Sequence, residues 1–409
     1  MNLTRRDFLI KSSQLIATIS LGGFSRIGQA VYANNDAATL PVKSPTLVVV
    51  QLSGGNDGLN TVIPYTNGRY YDARPTLRYK QEEVLPLNNQ IGLHPCLRNL
   101  QFMFQDGKLA IVQGVGYPKP DLSHFRSMEI WQTGVPESIA TTGWLGRYIT
   151  SSSADHHLPA IQIGAGTVNK AFISPGSDVP VVQSLETFRA FTSSTPDAYQ
   201  KNLIKSALNI YQTHSQNDYL QVVSQRGLSA FNNLEAIKSI VSSYVKKADY
   251  PNTQFSQDLQ LTAKLISGKA GTQIYYLQLG GFDDHVQEKQ QHKETLKTLD
   301  DGLGAFFKDL KENGTHNDVI IMVFSEFGRR LRENSSGGTD HGTAAPVFII
   351  GERVKGGLYG SHPNLTTLIN GDLKCEVDFR SIYHTIIDKW LHGDATNTLG
   401  GTFENLPFI

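Results

Sequence analysis

Pro45-Thr46-Leu47-Val48-Val49-Val50-Gln51-Leu52 runs without a break into Ser53-Gly54-Gly55-Asn56-Asp57-Gly58, and this passage decides the fold class. A continuous β-branched apolar run is the pattern of a strand buried on both faces, as in a parallel sheet. A strand that ends in a Gly-rich polar loop marks the edge where open α/β sheets place their active sites. The same pattern recurs downstream. Strands are predicted over 108–114, 158–164, 273–279, 318–324 and 346–351, and helices over 97–105, 125–133, 197–211, 219–245, 287–313 and 379–391. Strands alternating with helices predict an α/β protein, a three-layer α/β/α sandwich on a mainly parallel sheet. Residues 165–270 read as mostly helical and polar, an insertion or cap on the sheet rather than a separate domain.

The N-terminus has its own logic. Thr4-Arg5-Arg6-Asp7-Phe8-Leu9 resembles the twin-arginine export consensus, and a mildly apolar stretch follows over 15–24. That stretch is too short and too rich in Gly, Ser and Thr to span a bilayer. Small residues at 28–30 or 31–33 supply a cleavage site. Residues 1–33 are therefore read as a twin-arginine signal peptide and 34–409 as a single α/β domain. This predicts passage through the twin-arginine translocase to the periplasm or exterior, with membrane contact only through the uncleaved signal. Lys plus Arg and Asp plus Glu balance at 37 each, and no charged block suggests a nucleic-acid groove. Two cysteines, Cys96 and Cys375, are too few for a disulfide framework; their sequence spacing leaves pairing open.

Four polar clusters fall at strand ends or helix starts: Asn56-Asp57; Asp121-Leu122-Ser123-His124; Asp283-Asp284-His285; and Glu326 with Arg329, followed by Asp340-His341. Each has an ordinary structural explanation. Asp121, Ser123 and Asp283 suit helix caps, Asp57 suits a turn, and Glu326 with Arg329 suits an ion pair. Their coincidence favours a shared site, because three carboxylates follow three predicted buried strands and two of these regions bring a histidine. Asp, Glu and His together suit Zn²⁺, Mn²⁺, Mg²⁺ or Ca²⁺. A hydroxyl at a helix N-terminus, as at Ser123, is placed to approach a phosphate or sulfate, and a nearby metal makes such a hydroxyl a nucleophile.

These residues also carry a family likeness. Residues 51–60, Ser123-His124-Phe125, 130–134, 143–147, 281–285, 325–329, 338–342 and 378–381 resemble the twin-arginine-exported family known as domain of unknown function 1501, a branch of the alkaline phosphatase-like superfamily. The resemblance implies the sandwich fold, one or two divalent metals, and hydrolysis of phosphate or sulfate esters of small molecules or glycans. It implies a metal set of Asp57, Asp283, His285, Glu326 and His341, with Ser123 as nucleophile; in the hydrolase reading built on these, His124 or Arg329 steadies the anion. Phe327 stands where the superfamily carries a histidine after the carboxylate, so either Asp340 replaces it as a ligand or one metal site is lost. The competing expectation is a non-catalytic envelope protein that keeps the fold for binding or assembly. A Ser-His-Asp hydrolase is disfavoured because no Gly-x-Ser-x-Gly elbow surrounds Ser123.

Overall fold

The computed structural model describes residues 45–152, 158–164, 166–177, 179–182 and 244–409, with scattered positions between 205 and 228. The signal-peptide reading of 1–33 lies outside these residues, and the helices expected over 197–211 and 219–245 lie largely outside them.

β1 (Thr46–Leu52) is central in a nine-stranded sheet. Its neighbours, β8 (Ile274–Leu279) and β9 (Val319–Ser325), both run parallel to it. β6 (Ala160–Ile163) and β7 (Val181–Val182) extend the sheet beyond β8, also in parallel. On the other side come β12 (Ala345–Gly351) and then β5 (Leu109–Gly116), on which β13 (Gly357–Tyr359) and β14 (Val377–Asp378) pair in parallel. Among the described pairs of this sheet only those of β12 are antiparallel. A small sheet of β2 (Val62–Ile63), β3 (Leu85–Pro86) and β4 (Gly92–Leu93) and a ribbon of β10 (Arg329–Glu333) and β11 (Thr339–His341) complete the strands.

The apolar run of β1 explains the two helical layers. Successive side chains of a strand point to opposite faces. Val48, Val50 and Leu52 enter one core with Leu100 of α3 (Arg98–Gln105), Leu259 of α6 (Gln254–Ser267) and Leu299 and Phe306 of α7 (Glu288–Glu312). Leu47 and Val49 enter the other, with Trp131 of α4 (His124–Thr133), Trp144 of α5 (Trp144–Ser151), Tyr383 of α8 (Phe379–Thr385) and Leu399 of α9 (Ala395–Leu399). These five β1 side chains are at most 2% exposed; at about 1.5–3 kcal/mol each, β1 alone contributes on the order of 10 kcal/mol of gross burial. Trp131 stacks on Phe324 at 4.8 Å and Trp144 on Tyr383 at 4.2 Å between ring centroids. Two short helices, α1 (Gly58–Thr61) and α2 (Gly68–Ala73), follow the β1 loop.

The helix expected over 379–391 divides. α8 passes at Ile386 into a π-turn, Ile386–Trp390. The wider turn buries Ile386, Ile387 and Trp390 together and lets Trp390 Nε1 donate to the Thr46 carbonyl at 3.0 Å. α6, the described helix within 165–270, belongs to the main helical layer through Phe255, Leu259 and Leu265. The cysteines are unpaired: Cys96 Sγ lies 2.9 Å from His94 Nδ1, and Cys375 packs against Gly116. No helix of the described residues is long and apolar enough to cross a membrane.

α6 also buries a carboxyl. Asp258 is 4% exposed, with Gln254 Nε2 donating to it at 2.8 Å, and burial pushes its pKa up to about 6. A carboxyl raised on folding contributes stability that is present below the unfolded pKa of about 4 and is lost as pH rises through about 6. Asp258→Asn is therefore expected to raise the unfolding free energy at pH 8 by up to about 3 kcal/mol and to change nothing near pH 3.5. Denaturation midpoints at the two pH values check this; a gain of equal size at both rules it out.

Candidate metal centre

The register of the sheet brings the predicted loops together. Leu52 ends β1 opposite Leu279 of β8 and Ser325 of β9, so the segments after all three strands leave from one edge. The β1 loop can run against the β8 loop only because it carries glycine. Gly54 and Gly55 have φ of +124° and +75°, and a Cβ on Gly54 would stand 2.4 Å from Asp283 N. β10 and β11 then fold over the edge with Arg329 opposite His341.

Arg329 is the hub of this edge. Its guanidinium is buried and donates to the carbonyls of Gly55 (2.6 Å), Thr339 (2.9 Å), Phe282 (2.9 Å) and Gly54, and to Asp283 Oδ1 (2.7 Å). It ties the β1 loop, the β8 loop and the ribbon into one unit. All its bonding edges face protein, so it orients Asp283 rather than meeting an anion from solvent.

Around Asp283 three imidazoles converge. Its Oδ1 lies 3.0 Å from His285 Nε2, 3.2 Å from His341 Nε2 and 3.3 Å from His124 Nε2, and the first two nitrogens are 2.9 Å apart. His341 Nδ1 is 2.8 Å from the Leu122 carbonyl. A carbonyl only accepts, so the proton sits on Nδ1 and the Nε2 lone pair faces Asp283. His124 Nδ1 likewise donates to Glu326 Oε1 at 2.9 Å, turning its Nε2 lone pair to the same place. Glu326 is itself buried and held by the Gly54 N–H at 2.8 Å.

Lone pairs facing a carboxylate oxygen repel unless a proton or cation lies between them. His124 Nε2 is buried with no hydrogen-bond partner. The nearest ligand atoms of His124, Asp283 and His341 all fall within 4.8 Å of one another. An Asp-His-His set suits a borderline divalent cation, and Nδ1 groups held by a carboxylate and a carbonyl are what orients ligating imidazoles. The donor chemistry therefore fits a metal. The electrostatics of Asp283 and His341 agree. Burial works to raise the Asp283 carboxyl, but the Arg329 hydrogen bond, aided by His341, holds it down at about 2. The Glu326 hydrogen bond raises His124, and burial lowers His341.

A second, inner cluster lies behind the first. Asp57, Glu288 and His292 are each at most 2% exposed and bring ligand atoms within 4.8 Å of one another. Arg74, fully buried, pairs with Asp57 Oδ2. Burial works to raise the Asp57 carboxyl, and Arg74 overrides it to hold it down; burial and the Asp57 charge drive Glu288 up.

The predicted residues thus divide. Asp283, His285, His341 and His124 meet at one point. Glu326 and Arg329 hold that point from behind. Asp340 is exposed at its rim, 3.9 Å from His285 Nδ1. Asp57 is in the inner cluster. Ser123 directly precedes α4, its N–H donating to Asp121 Oδ1 at 2.8 Å, and its hydroxyl has no bond among the described residues. Sequence reading missed Arg74, Glu288 and His292. The last two are four apart on α7, a spacing that places them on one helix face; Arg74, in a loop before Pro75, carried no signal.

Residues 110–391 match the family model described as protein of unknown function (DUF1501). No curated protein matches. Similar solved structures include a protein in the alkaline phosphatase superfamily from Vibrio parahaemolyticus (14% identity, 88% of this chain and 69% of that one, TM-score 0.42). Others are a phosphonate monoester hydrolase from Silicibacter pomeroyi (11%, 89% and 76%, 0.37) and an alkaline phosphatase from the Antarctic bacterium TAB5 (10%, 77% and 95%, 0.34). At these scores none transfers a residue role or an activity.

Proposed function

This chain belongs to the DUF1501 family of proteins of unknown function, and we propose that it is an exported, metal-dependent hydrolase of phosphate or sulfate esters. One observation carries the reading: His124 and His341, each tied at Nδ1, turn their Nε2 lone pairs onto Asp283. Asp283, His341 and His124 would hold the ion, with His285 within reach. When bound, a Zn²⁺-like ion supplies a Lewis acid that neutralises ester charge and lowers the pKa of a neighbouring hydroxyl.

The chain's own groups do the rest. Ser123, free of a capping bond and next to His124, is the proposed nucleophile. Its Oγ bonds to phosphorus or sulfur as the ester oxygen leaves with the hydroxyl's proton, and water then releases the serine. The free N–H groups at the start of α4 favour the anion there. The organic half of a small-molecule or glycan ester has room in a cavity of about 800 Å³ lined by Tyr117, Leu122, Arg330, Thr343 and Asp378. Leu122 carries the carbonyl that orients His341. Export through the twin-arginine route to the periplasm or exterior is supported by Arg5-Arg6 with Phe8 and Leu9.

The test is metal content of the mature protein, purified without chelator or affinity metal, beside Asp283→Ala/His341→Ala. Stoichiometric metal in the wild type, absent from the double variant, is expected, with loss of nitrophenyl phosphate or sulfate hydrolysis in Ser123→Ala. A wild type still empty after addition of Zn²⁺, Mn²⁺, Mg²⁺ and Ca²⁺ overturns the proposal. Bound metal with no turnover of any ester favours the non-catalytic reading.

A further inference from the structure

We infer that Asp57 takes no metal, and that the Arg74 guanidinium is the built-in cation of a closed inner cluster. The position after β1 was expected to supply a ligand, and the atoms around it say otherwise. Arg74 Nη1 donates to Asp57 Oδ2, while Nε and Nη2 donate to the carbonyls of Leu331 (2.9 Å) and Arg330 (2.8 Å). The guanidinium is thus fixed from three sides. Moving it aside for an ion would strand two carbonyls of β10 in the interior. The loop that carries Arg74 is locked as well, because Glu333 accepts from the N–H groups of Thr76 and Leu77.

The remaining oxygens complete the picture. Asp57 Oδ1 and Glu288 Oε1 are buried and have no donor, while Glu288 Oε2 accepts from Thr339 Oγ1 at 2.6 Å. One proton shared between the two carboxyl groups satisfies both open oxygens. It also balances the charge: one negative on the carboxyl pair, one positive on Arg74, and a neutral His292 whose Nε2 lies 2.9 Å from Asn56 Oδ1. A divalent ion with both carboxylates ionised would instead leave a net positive charge, sealed from water and beside a guanidinium, an arrangement that buried sites avoid. Asp284 is buried with both oxygens unpartnered, but it joins neither group of converging ligand atoms.

The cluster therefore positions rather than binds. It pins the β1 loop to α7 and β10, and that loop supplies the Gly54 N–H that holds Glu326. The inference rests on the outer-cluster reading only for the number of ions.

The experiment is Zn²⁺ titration by calorimetry and native mass spectrometry on the mature protein, with Asp57→Asn, Glu288→Gln and Asp283→Ala/His341→Ala. Asp57→Asn is expected to keep the wild-type Zn²⁺ stoichiometry and an affinity within about threefold, yet to melt lower with and without Zn²⁺. A true ligand or its orienting partner would cost about 10–100-fold. Glu288→Gln is expected to keep both affinity and melting temperature, because its amide donates to Asp57 Oδ1 in the proton's place. Two Zn²⁺ in the wild type with one lost in Asp57→Asn overturns the inference. So does a Glu288→Gln protein that melts well below the wild type, a comparison that still decides the matter if the wild type binds no Zn²⁺ or Asp57→Asn does not fold. Loss of Zn²⁺ only in Asp283→Ala/His341→Ala supports both readings, and a zinc-free wild type with a stable Glu288→Gln sinks the hydrolase proposal alone.

Discussion

Arg329→Ala is expected to lower the unfolding free energy by about 4 kcal/mol, and Arg329→Lys to recover less than half of it. The arginine donates to four buried carbonyls and to Asp283, and each acceptor left without a donor costs about 1 kcal/mol or more. Lysine keeps the charge but lacks the planar fork that serves several carbonyls at once. Equilibrium denaturation in urea measures the loss. A change below about 1 kcal/mol would mean that the three loops hold together without their hub, and that Asp283 is oriented by something else. The same variant is expected to release Asp283 from the Arg329 hydrogen bond, so its carboxyl pKa should rise from about 2 toward the usual range; carboxyl titration by NMR checks the direction.

Glu326→Gln is expected to weaken binding of the proposed divalent ion by about 10–100-fold with little change in fold. Glu326 Oε1 accepts from both Gly54 N–H and His124 Nδ1, and Oε2 lies 3.0 Å from Ser325 Oγ. An amide can present its oxygen to one of these sides only. If its oxygen stays on Gly54 and His124, the variant keeps geometry and loses the carboxylate that strengthens the imidazole. If the amide turns, its N–H groups face the Gly54 and His124 donors and displace the ring. Both outcomes weaken the ion, and the titration that measures it is independent of any substrate. Unchanged affinity would show that His124 is not a ligand.

Much of this was legible from patterning. The apolar run 46–52 could be buried only on both faces, and it is: Val48, Val50 and Leu52 enter one core and Leu47 and Val49 the other. The runs predicted over 273–279 and 318–324 form strands at 274–279 and 319–325, while their place on either side of β1 came only from the pairing. The direction of β12 was not legible. Val347-Phe348-Ile349-Ile350 is equally apolar along either course, so only its pairing with β5 and β9 makes it antiparallel.

The sequence by itself determined where the polar loops fall: Gly-rich and acidic segments following buried strands, and a Ser-His pair opening a helix. What only the tertiary structure decided is how those groups are shared out. Asp283 turns out to the imidazoles while its neighbour Asp284 turns in. Arg329 meets His341 across a two-stranded ribbon, and Asp57 is claimed by an arginine 17 positions away. The reason is one of range. Periodicity and turn chemistry act over a few residues and fix where the backbone goes. The partner of a buried charge is chosen by which opposite charge the completed packing brings within about 3 Å, and no local pattern encodes that.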